Sequence, residues 1–145
     1  MIDLNKYIWL TTMMVLATKD ESWNPYTSNV YFRCDESYKF YFISKDFREH
    51  SKHIIENWIV AWSILNTEKY NETDQDKKWL QFRWNAKVLK NNEGEKIIKN
   101  IFNLDKKYSK MIEEWHYIFE CTPEKVKIWD EEIYGGNGKK FEFEF

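Results

Sequence analysis

A short stretch in the first half of the chain carries two of its three histidines. His50 and His53 are three positions apart, and Glu56 follows three positions later. On a helix, this spacing would present imidazole and carboxylate groups, which zinc and iron accept as ligands. The helical wheel, however, places His53 and Glu56 away from the apolar stripe, and His116 is the only other histidine. A solvated helix face is therefore favoured over a metal site.

The same stretch is also compatible with a phosphate site. Ser44 ends a predicted strand, and a helix predicted over residues 46–57 begins soon after it. Unpaired N–H groups and the dipole at the start of a helix favour an anion. Arg48, His50 and Lys52 lie in the first turns, where they would reach back toward the strand end. Such junctions are common in proteins, so the pattern permits a phosphate without requiring one.

The helix itself is predicted from a stripe at helical spacing, which we expect to face the core. The stripe consists of Phe47, Ser51, Ile54, Ile55 and Trp58. Asp46 is the predicted N-cap, because Glu49 lies three residues later and would complete a capping box.

The rest of the chain is rich in residues that favour strands. Aromatic residues make up 19% of the sequence, with 8 Trp, 9 Tyr and 10 Phe. Alternation and turn residues predict strands over residues 12–19, 26–34, 38–44, 58–65, 79–89, 115–121 and 125–129. The first three strands would form a meander, and the last two would form a hairpin around residues 122–124.

Helices and loops are predicted between these strands. Helical spacing is found over residues 2–9, 95–103 and 106–114, with a polar loop over 66–77 and a break over 91–94. Together, these elements predict a single, mainly β domain over residues 1–145. Its architecture would be a six- to seven-stranded antiparallel split β-barrel with peripheral helices.

Composition excludes several classes of protein. Lys and Arg number 22 against 24 Asp and Glu, a net charge of −2 that disfavours nucleic acid as a partner. Cys34 and Cys121 are too far apart for a CxxC metal motif and fit a reducing compartment. No signal peptide, membrane span, Walker A or G-x-S-x-G pattern occurs, so a cytoplasmic location without membrane partners is expected.

The order of these pieces resembles the pyridoxamine 5′-phosphate oxidase-like FMN-binding split-barrel family over about residues 10–130. VLATKDESWNPYTSNVYFRCDESYKFYFIS is similar to the family's opening meander. IIENW followed by IVAWSI resembles its helix, Asn and strand, and WLQFRWNAKVL resembles its long strand. A small uncharacterised subgroup is more similar still, through FREH, LQF and IWDEEIYGGNGKKFEF.

The resemblance implies a homodimer with FMN at the subunit interface and flavin-dependent oxidoreductase activity on a small-molecule substrate. Asn29, Val30 and Tyr31 would lie along the isoalloxazine, and Gln81 would approach from the long strand. Ser44 would hold the phosphate with Arg48, His50 or Lys52. The resemblance indicates no catalytic acid or base.

Three alternatives stay open at the level of sequence. The family usually carries Gly near the position of Trp84, so a non-enzymatic ligand-binding or sensing protein with a modified or lost flavin site is the second hypothesis. A haem-binding variant would use His50, His53 or His116 as axial ligand. Another flavin, such as a deazaflavin, would fit the same features.

Overall fold

The computed structural model describes residues 3–8, 11–66, 78–103, 116–130 and 141–145. The strands are β1 (Met13–Lys19), β2 (Pro25–Tyr31), β3 (Arg33–Cys34), β4 (Phe40–Lys45), β5 (Ile59–Asn66), β6 (Lys78–Leu89), β7 (His116–Asp130) and β8 (Phe141–Glu144). The helices are α1 (Asn5–Ile8), α2 (Glu49–Asn57) and α3 (Asn91–Ile97), and a π-helical turn (Ile98–Phe102) continues α3.

Seven antiparallel strands form one hydrogen-bonded path in the order β2-β1-β5-β6-β7-β4-β3, and β8 pairs with β7 beside it. The first and last strands of the path, β2 and β3, are joined by the single residue Phe32. The sheet must therefore curl until its two ends approach each other. The structure confirms the predicted mainly β, antiparallel split barrel.

Aromatic side chains fill the interior of the curled sheet. Phe40 lies 4.8 Å from Phe82 between ring centroids, and Trp62 stacks on Phe82 at 5.4 Å. All three are buried, as are Phe42 and Phe119, which stack on each other at 4.8 Å. Such rings bury large apolar areas, which accounts for part of the high aromatic content.

The predicted opening meander is only partly correct. The β1–β2 hairpin forms as expected. The strand predicted over residues 26–34 is broken at Phe32, however, and β4 pairs with β3 and β7. Phe32 is 3% exposed, so its ring is anchored in the core where the chain leaves β2 for β3. The break carries the chain from one end of the strand order to the other.

The hairpin predicted over residues 115–129 is wrong. β7 runs without interruption through Thr122, Pro123 and Glu124. Pro123 pairs with Trp84, beside a register shift between Arg83 and Trp84 in β6. A β-bulge is one of the places where a sheet tolerates proline, because the hydrogen-bond ladder is already interrupted there.

The helices differ from the sequence prediction at their starts. α2 begins at Glu49 with Arg48 at the N-cap and no side-chain cap, so the capping box predicted at Asp46 does not form. α3 begins at Asn91, where a break was predicted; Gly94 lies inside it, and a Cβ there would be 3.3 Å from Ile118. Close packing against β7 thus accounts for this glycine better than a turn.

Two further predictions fall largely or wholly beyond the described residues. Most of the polar loop predicted over 66–77 lies outside them, as does the helical piece over 106–114. The short helix predicted over 2–9 is confirmed as α1. No helix in the described part of the chain is long and apolar enough to cross a bilayer.

Candidate functional site

Helix α2 turns its histidines toward the barrel. The helix packs against β1, β2 and β6, and its buried residues are His50, Ser51, His53 and Ile54. Phe47 and Ile55, expected in the core, are 56% and 55% exposed. The prediction that His53 lies on the solvent side is therefore wrong, because the helix is rotated relative to the apolar stripe.

Hydroxyl groups on two strands explain this rotation. His50 Nε2 lies 2.7 Å from Ser44 Oγ of β4, and His53 Nδ1 lies 2.8 Å from Thr18 Oγ1 of β1. Buried polar groups are tolerated when they are hydrogen-bonded, so each imidazole has the partner that burial demands. A wheel based on hydropathy alone cannot anticipate these partners. Glu49 Oε2 also lies 3.6 Å from His53 Nε2.

The metal site considered for this helix does not form among the described residues. They contain no group of three or more His, Cys, Asp or Glu side chains arranged to hold an ion. Glu56 is exposed, whereas His50 and His53 point into the barrel. His50 and His53 also fit poorly as haem ligands, since each is buried and bound to a hydroxyl group.

His50 is held in a setting that favours its neutral form. Burial lowers the pKa of its imidazole, and the charges of Arg48 and His53 lower it further. The ring also packs against Phe42 with centroids 5.9 Å apart. His50 is thus better suited to positioning Ser44 than to pairing with a phosphate as a cation.

Exposed cations lie around the start of α2. Arg48 and Lys52 are exposed, and Lys52 Nζ is 4.0 Å from Glu49 Oε1. Lys45 Nζ and Arg48 Cζ lie 5.5 Å and 5.6 Å from the centre of the exposed Phe47 ring. Lys45 was not among the predicted residues, although its place directly after Ser44 was a signal that could have identified it.

The predicted ring-binding residues lie on β2 and β6. Asn29, Tyr31 and Gln81 are exposed on the outer face of the sheet. Val30 is 8% exposed and faces the core, so its side chain does not belong to that surface. Only the backbone of Val30 remains available to a ligand on the outer face.

Strand register aligns these polar residues with apolar neighbours. Asn29 pairs with Val15, Val15 with Ser63, and Ser63 with Gln81, forming one row across four strands. Tyr31 pairs with Met13 next to this row. Met13, Val15 and Leu65 are 43%, 42% and 44% exposed. We call this surface, made of Met13, Val15, Asn29, Tyr31, Ser63, Leu65 and Gln81, the outer strip.

The two groups of predicted residues make no direct contact in the described part of one protomer, although α2 packs against β1, β2 and β6, which carry much of the outer strip. Among the described residues, no hydrogen bond, ion pair or ring contact links Ser44, Arg48 or Lys52 to the outer strip. Within the outer strip itself, Asn29 and Gln81 are three strand spacings apart, or roughly 14 Å.

Trp84 lies outside the barrel interior. It is 44% exposed at the bulge of β6, and its ring meets that of Trp58 edge-on with centroids 6.2 Å apart. Trp58, at the end of α2, is also about half exposed and accepts a backbone hydrogen bond from Ala86. The Trp84 side chain therefore packs against the end of α2.

Comparison with known proteins identifies the fold. No model of a protein family matches the chain, and no curated protein matches it. Solved structures do match, and they show the pyridoxamine 5′-phosphate oxidase-like split-barrel fold that the sequence resemblance predicted. The sequence identities below are too low to show more than the fold.

Three of these structures illustrate the range of similar proteins. A heme binding protein from Mycobacterium smegmatis matches with a TM-score of 0.77 and 13% identity, over 95% of this chain and 55% of that chain. The present chain thus spans about half of that protein. HutZ, the heme storage protein from Vibrio cholerae, matches with a TM-score of 0.66 and 17% identity, over 83% and 87% of the two chains.

The third belongs to the pyridoxinephosphate oxidase family. It is a Clostridium acetobutylicum protein related to general stress protein 26 of B. subtilis, with a TM-score of 0.68 and 10% identity. The match covers 97% of this chain and 91% of that one.

Proposed function

We propose that the protein binds FMN on its outer strip at the interface of a homodimer, and that it acts as a flavin-dependent oxidoreductase on a small-molecule substrate. The observation that carries this proposal is the row Asn29–Val15–Ser63–Gln81, in which the exposed Val15 lies among three polar residues. The exposed apolar side chains of Met13 and Leu65 lie beside this row. A flavin ring needs a flat, mostly apolar surface with a few polar contacts at its edge. Asn29 and Gln81 supply amide groups of the required kind.

The donor set at the start of α2 suits the phosphate of the same cofactor. Arg48 and Lys52 are exposed cations next to the first turn of a nine-residue helix, and Lys45 lies close by. Cations and helix N–H groups together favour a phosphate. Ser44 Oγ is already bound to His50, so we assign Ser44 and His50 to shaping this end of the site.

A homodimer is part of this proposal, because no hydrogen bond, ion pair or ring contact joins the two groups among the described residues of one protomer. The outer strip exposes apolar side chains that a second copy would cover, and FMN between the copies would meet the strip of one and the cations of the other. When bound, FMN would supply the redox chemistry, while this chain would bind, orient and shield it from water.

The contact between Trp58 and Trp84 bears on the hypothesis of a non-enzymatic sensing protein with a modified site. The Trp84 ring packs at the end of α2, and Gln81 lies three residues away along β6, or roughly 10 Å. This placement favours retention of the ring-binding surface. Oxidation of a reduced nicotinamide by the FMN-loaded protein would support the enzyme, and absence of turnover with bound FMN would favour the sensor.

Haem binding is the second candidate function, because two of the structurally similar proteins are named for haem. With His50 and His53 buried against hydroxyl groups, His116 at the start of β7 is the partly exposed histidine. It pairs with Lys45, the last residue of β4. A His116→Ala variant that loses a Soret band present in the wild type would support this candidate.

The absorbance spectrum of freshly purified protein separates the two candidates. FMN predicts the two visible bands of an oxidised flavin, whereas haem predicts a Soret band. The spectrum is recorded again after FMN or haem is added, because a bound cofactor can be lost during purification. A colourless protein that binds neither at micromolar concentration would contradict both proposals.

A further inference from the structure

The contact between His50 and Ser44 joins helix α2 to a strand that lies outside its main packing partners. We propose that this contact makes the docking of α2 sensitive to acid, so that protonation of His50 loosens the helix and the cations at its start. The helix packs on β1, β2 and β6, whereas Ser44 belongs to β4. The 2.7 Å hydrogen bond between His50 and Ser44 therefore connects the helix to the barrel independently of its packing on β1, β2 and β6.

The described groups that contact His50 are an uncharged hydroxyl and an aromatic ring, which do little to stabilise an added positive charge. The imidazole is 7% exposed, and its nearest partners are the Ser44 hydroxyl and the Phe42 ring. The charged groups that act on it are Arg48 and His53, both of which oppose protonation. Among the described residues, no carboxylate bonds to its ring.

Titratable groups from α2, β2 and the end of β1 lie near His53 instead. Glu49 of the helix lies 3.6 Å from His53, and the Tyr26 ring of β2 meets it edge-on at 5.7 Å. Asp20, which follows β1, interacts electrostatically with the same imidazole. Trp84 and Ala86 of β6, which do not titrate, contact Trp58 just beyond the helix. Within the described part of the chain, acidic groups thus act on His53, and none is paired with His50.

The direction of the pH effect follows from this asymmetry. Burial lowers the pKa of His50 from its ordinary 6.5, so the unfolded or undocked state takes up the proton first. The stability that neutral His50 contributes is complete above pH 6.5 and declines as the pH falls from there toward the lowered pKa. In that window, one such histidine raises the unfolding equilibrium constant by up to about tenfold per pH unit.

The consequence for ligand binding rests on the proposed function. Arg48 and Lys52 lie two residues on either side of His50 in the sequence. If α2 loosens, both cations lose their fixed positions at the phosphate. Mild acid is then expected to weaken FMN binding.

Chemical unfolding of the full chain without ligand tests the acid-sensitive contact. The wild type, His50→Gln and His116→Gln are compared between pH 7.5 and about pH 5.5. As the pH falls over this range, we expect the unfolding equilibrium constants of the wild type and of His116→Gln to rise up to about tenfold more than that of His50→Gln. The reason is that glutamine at position 50 keeps a hydrogen-bonding group but does not titrate. Equal pH dependence in all three proteins would overturn the proposal.

A second variant covers the case in which His50→Gln fails to fold. Ser44→Ala removes the partner but leaves the buried imidazole, so we expect lower stability at neutral pH with the pH dependence retained. A Ser44→Ala variant as stable as the wild type would show that the contact does not hold the helix.

FMN titrations at the same two pH values complete the test. The proposal predicts weaker FMN binding by wild type in acid and a smaller loss in His50→Gln. FMN binding that is equally weakened by acid in both proteins would contradict the link to the ligand. If FMN binds at neither pH, the proposed function fails, while the unfolding comparison still decides whether His50 responds to acid.

Discussion

His50 and His53 occupy inward positions of α2 because each imidazole reaches a hydroxyl group on a different strand. The residue pattern predicted an apolar stripe through Phe47 and Ile55 instead, since hydropathy counts a histidine as a surface residue. Nothing in the local sequence shows that Thr18 lies opposite His53, because the two residues are brought together by tertiary structure. The location of Arg48 and Lys52 at the start of a helix, by contrast, was predictable from their position just after a strand.

Removing the Thr18 hydroxyl should destabilise the protein. Thr18→Val leaves the buried His53 Nδ1 without its partner, at an expected cost of about 1–3 kcal/mol in the free energy of unfolding. Thr27→Val, at an exposed position of β2, is the matched control and should change stability by less than about 0.5 kcal/mol. Chemical denaturation measures both. Equal stabilities would show that the hydrogen bond does not secure α2.

Arg48→Ala should weaken FMN binding. A charge-assisted hydrogen bond to phosphate is worth about 1.5–3 kcal/mol, so its loss corresponds to roughly a 10- to 100-fold higher Kd. Lys96→Ala, which removes an exposed cation from α3, is the control for the change in net charge. Titration by flavin fluorescence measures the affinities. An affinity unchanged by Arg48→Ala would place the phosphate elsewhere.

At the scale of elements, α2 ends at a residue with an unusual backbone conformation. Trp58 has a φ of 50°, in the left-handed region where side chains other than glycine are strained. Its backbone N–H donates to the carbonyl of Ile54, which closes the helix. Glycine is the usual residue at such an end, so a tryptophan there costs conformational energy.

Two substitutions at Trp58 measure this cost. Both Trp58→Gly and Trp58→Ala remove the ring contact with Trp84, but only glycine suits the positive φ. We expect the Gly variant to be more stable than the Ala variant by about 1 kcal/mol in thermal or chemical unfolding. At Ile55, inside the same helix, we expect the Ala variant to be more stable than the Gly variant by about 0.5–1 kcal/mol in the free energy of unfolding. The same order at both positions would be inconsistent with a left-handed helix end.

Most of the strands were predictable because alternation and β-forming residues coincide over β1, β4, β5 and β6. The errors in the predicted secondary structure arose where a local turn or break signal competes with strand pairing or helix packing. Pro123 predicted a turn, but β7 continues through it because the opposite strand is bulged at Trp84. Gly94 predicted a break, but it allows α3 to pack closely on Ile118. Strand partners are not encoded locally, which is why the split at Phe32 was missed.

At the scale of the whole molecule, the curled sheet separates an aromatic interior from an apolar outer strip. The interior needs no partner, because its rings pack on one another. The outer strip exposes Met13, Val15 and Leu65, and a contiguous exposed apolar surface commonly marks an interface. The proposed dimer would cover this surface and place the outer strip of one copy beside the cations of the other.

A charge placed in the outer strip should disrupt the dimer. Val15→Glu puts a carboxylate between Asn29 and Ser63, where burial against a second copy would be unfavourable. We expect a monomer by sedimentation velocity, together with loss of FMN binding. Asn92→Glu, at an exposed position of α3, is the control and should leave both properties unchanged. A Val15→Glu protein that remains dimeric would place the interface on another surface.

The most direct test of the account is the binding of FMN by the purified protein, followed by equilibrium dialysis. The account predicts saturable binding at micromolar FMN with one flavin per protomer, as expected if each protomer contributes one outer strip and one set of cations. Failure of the folded protein to retain or bind FMN at micromolar concentration would contradict it.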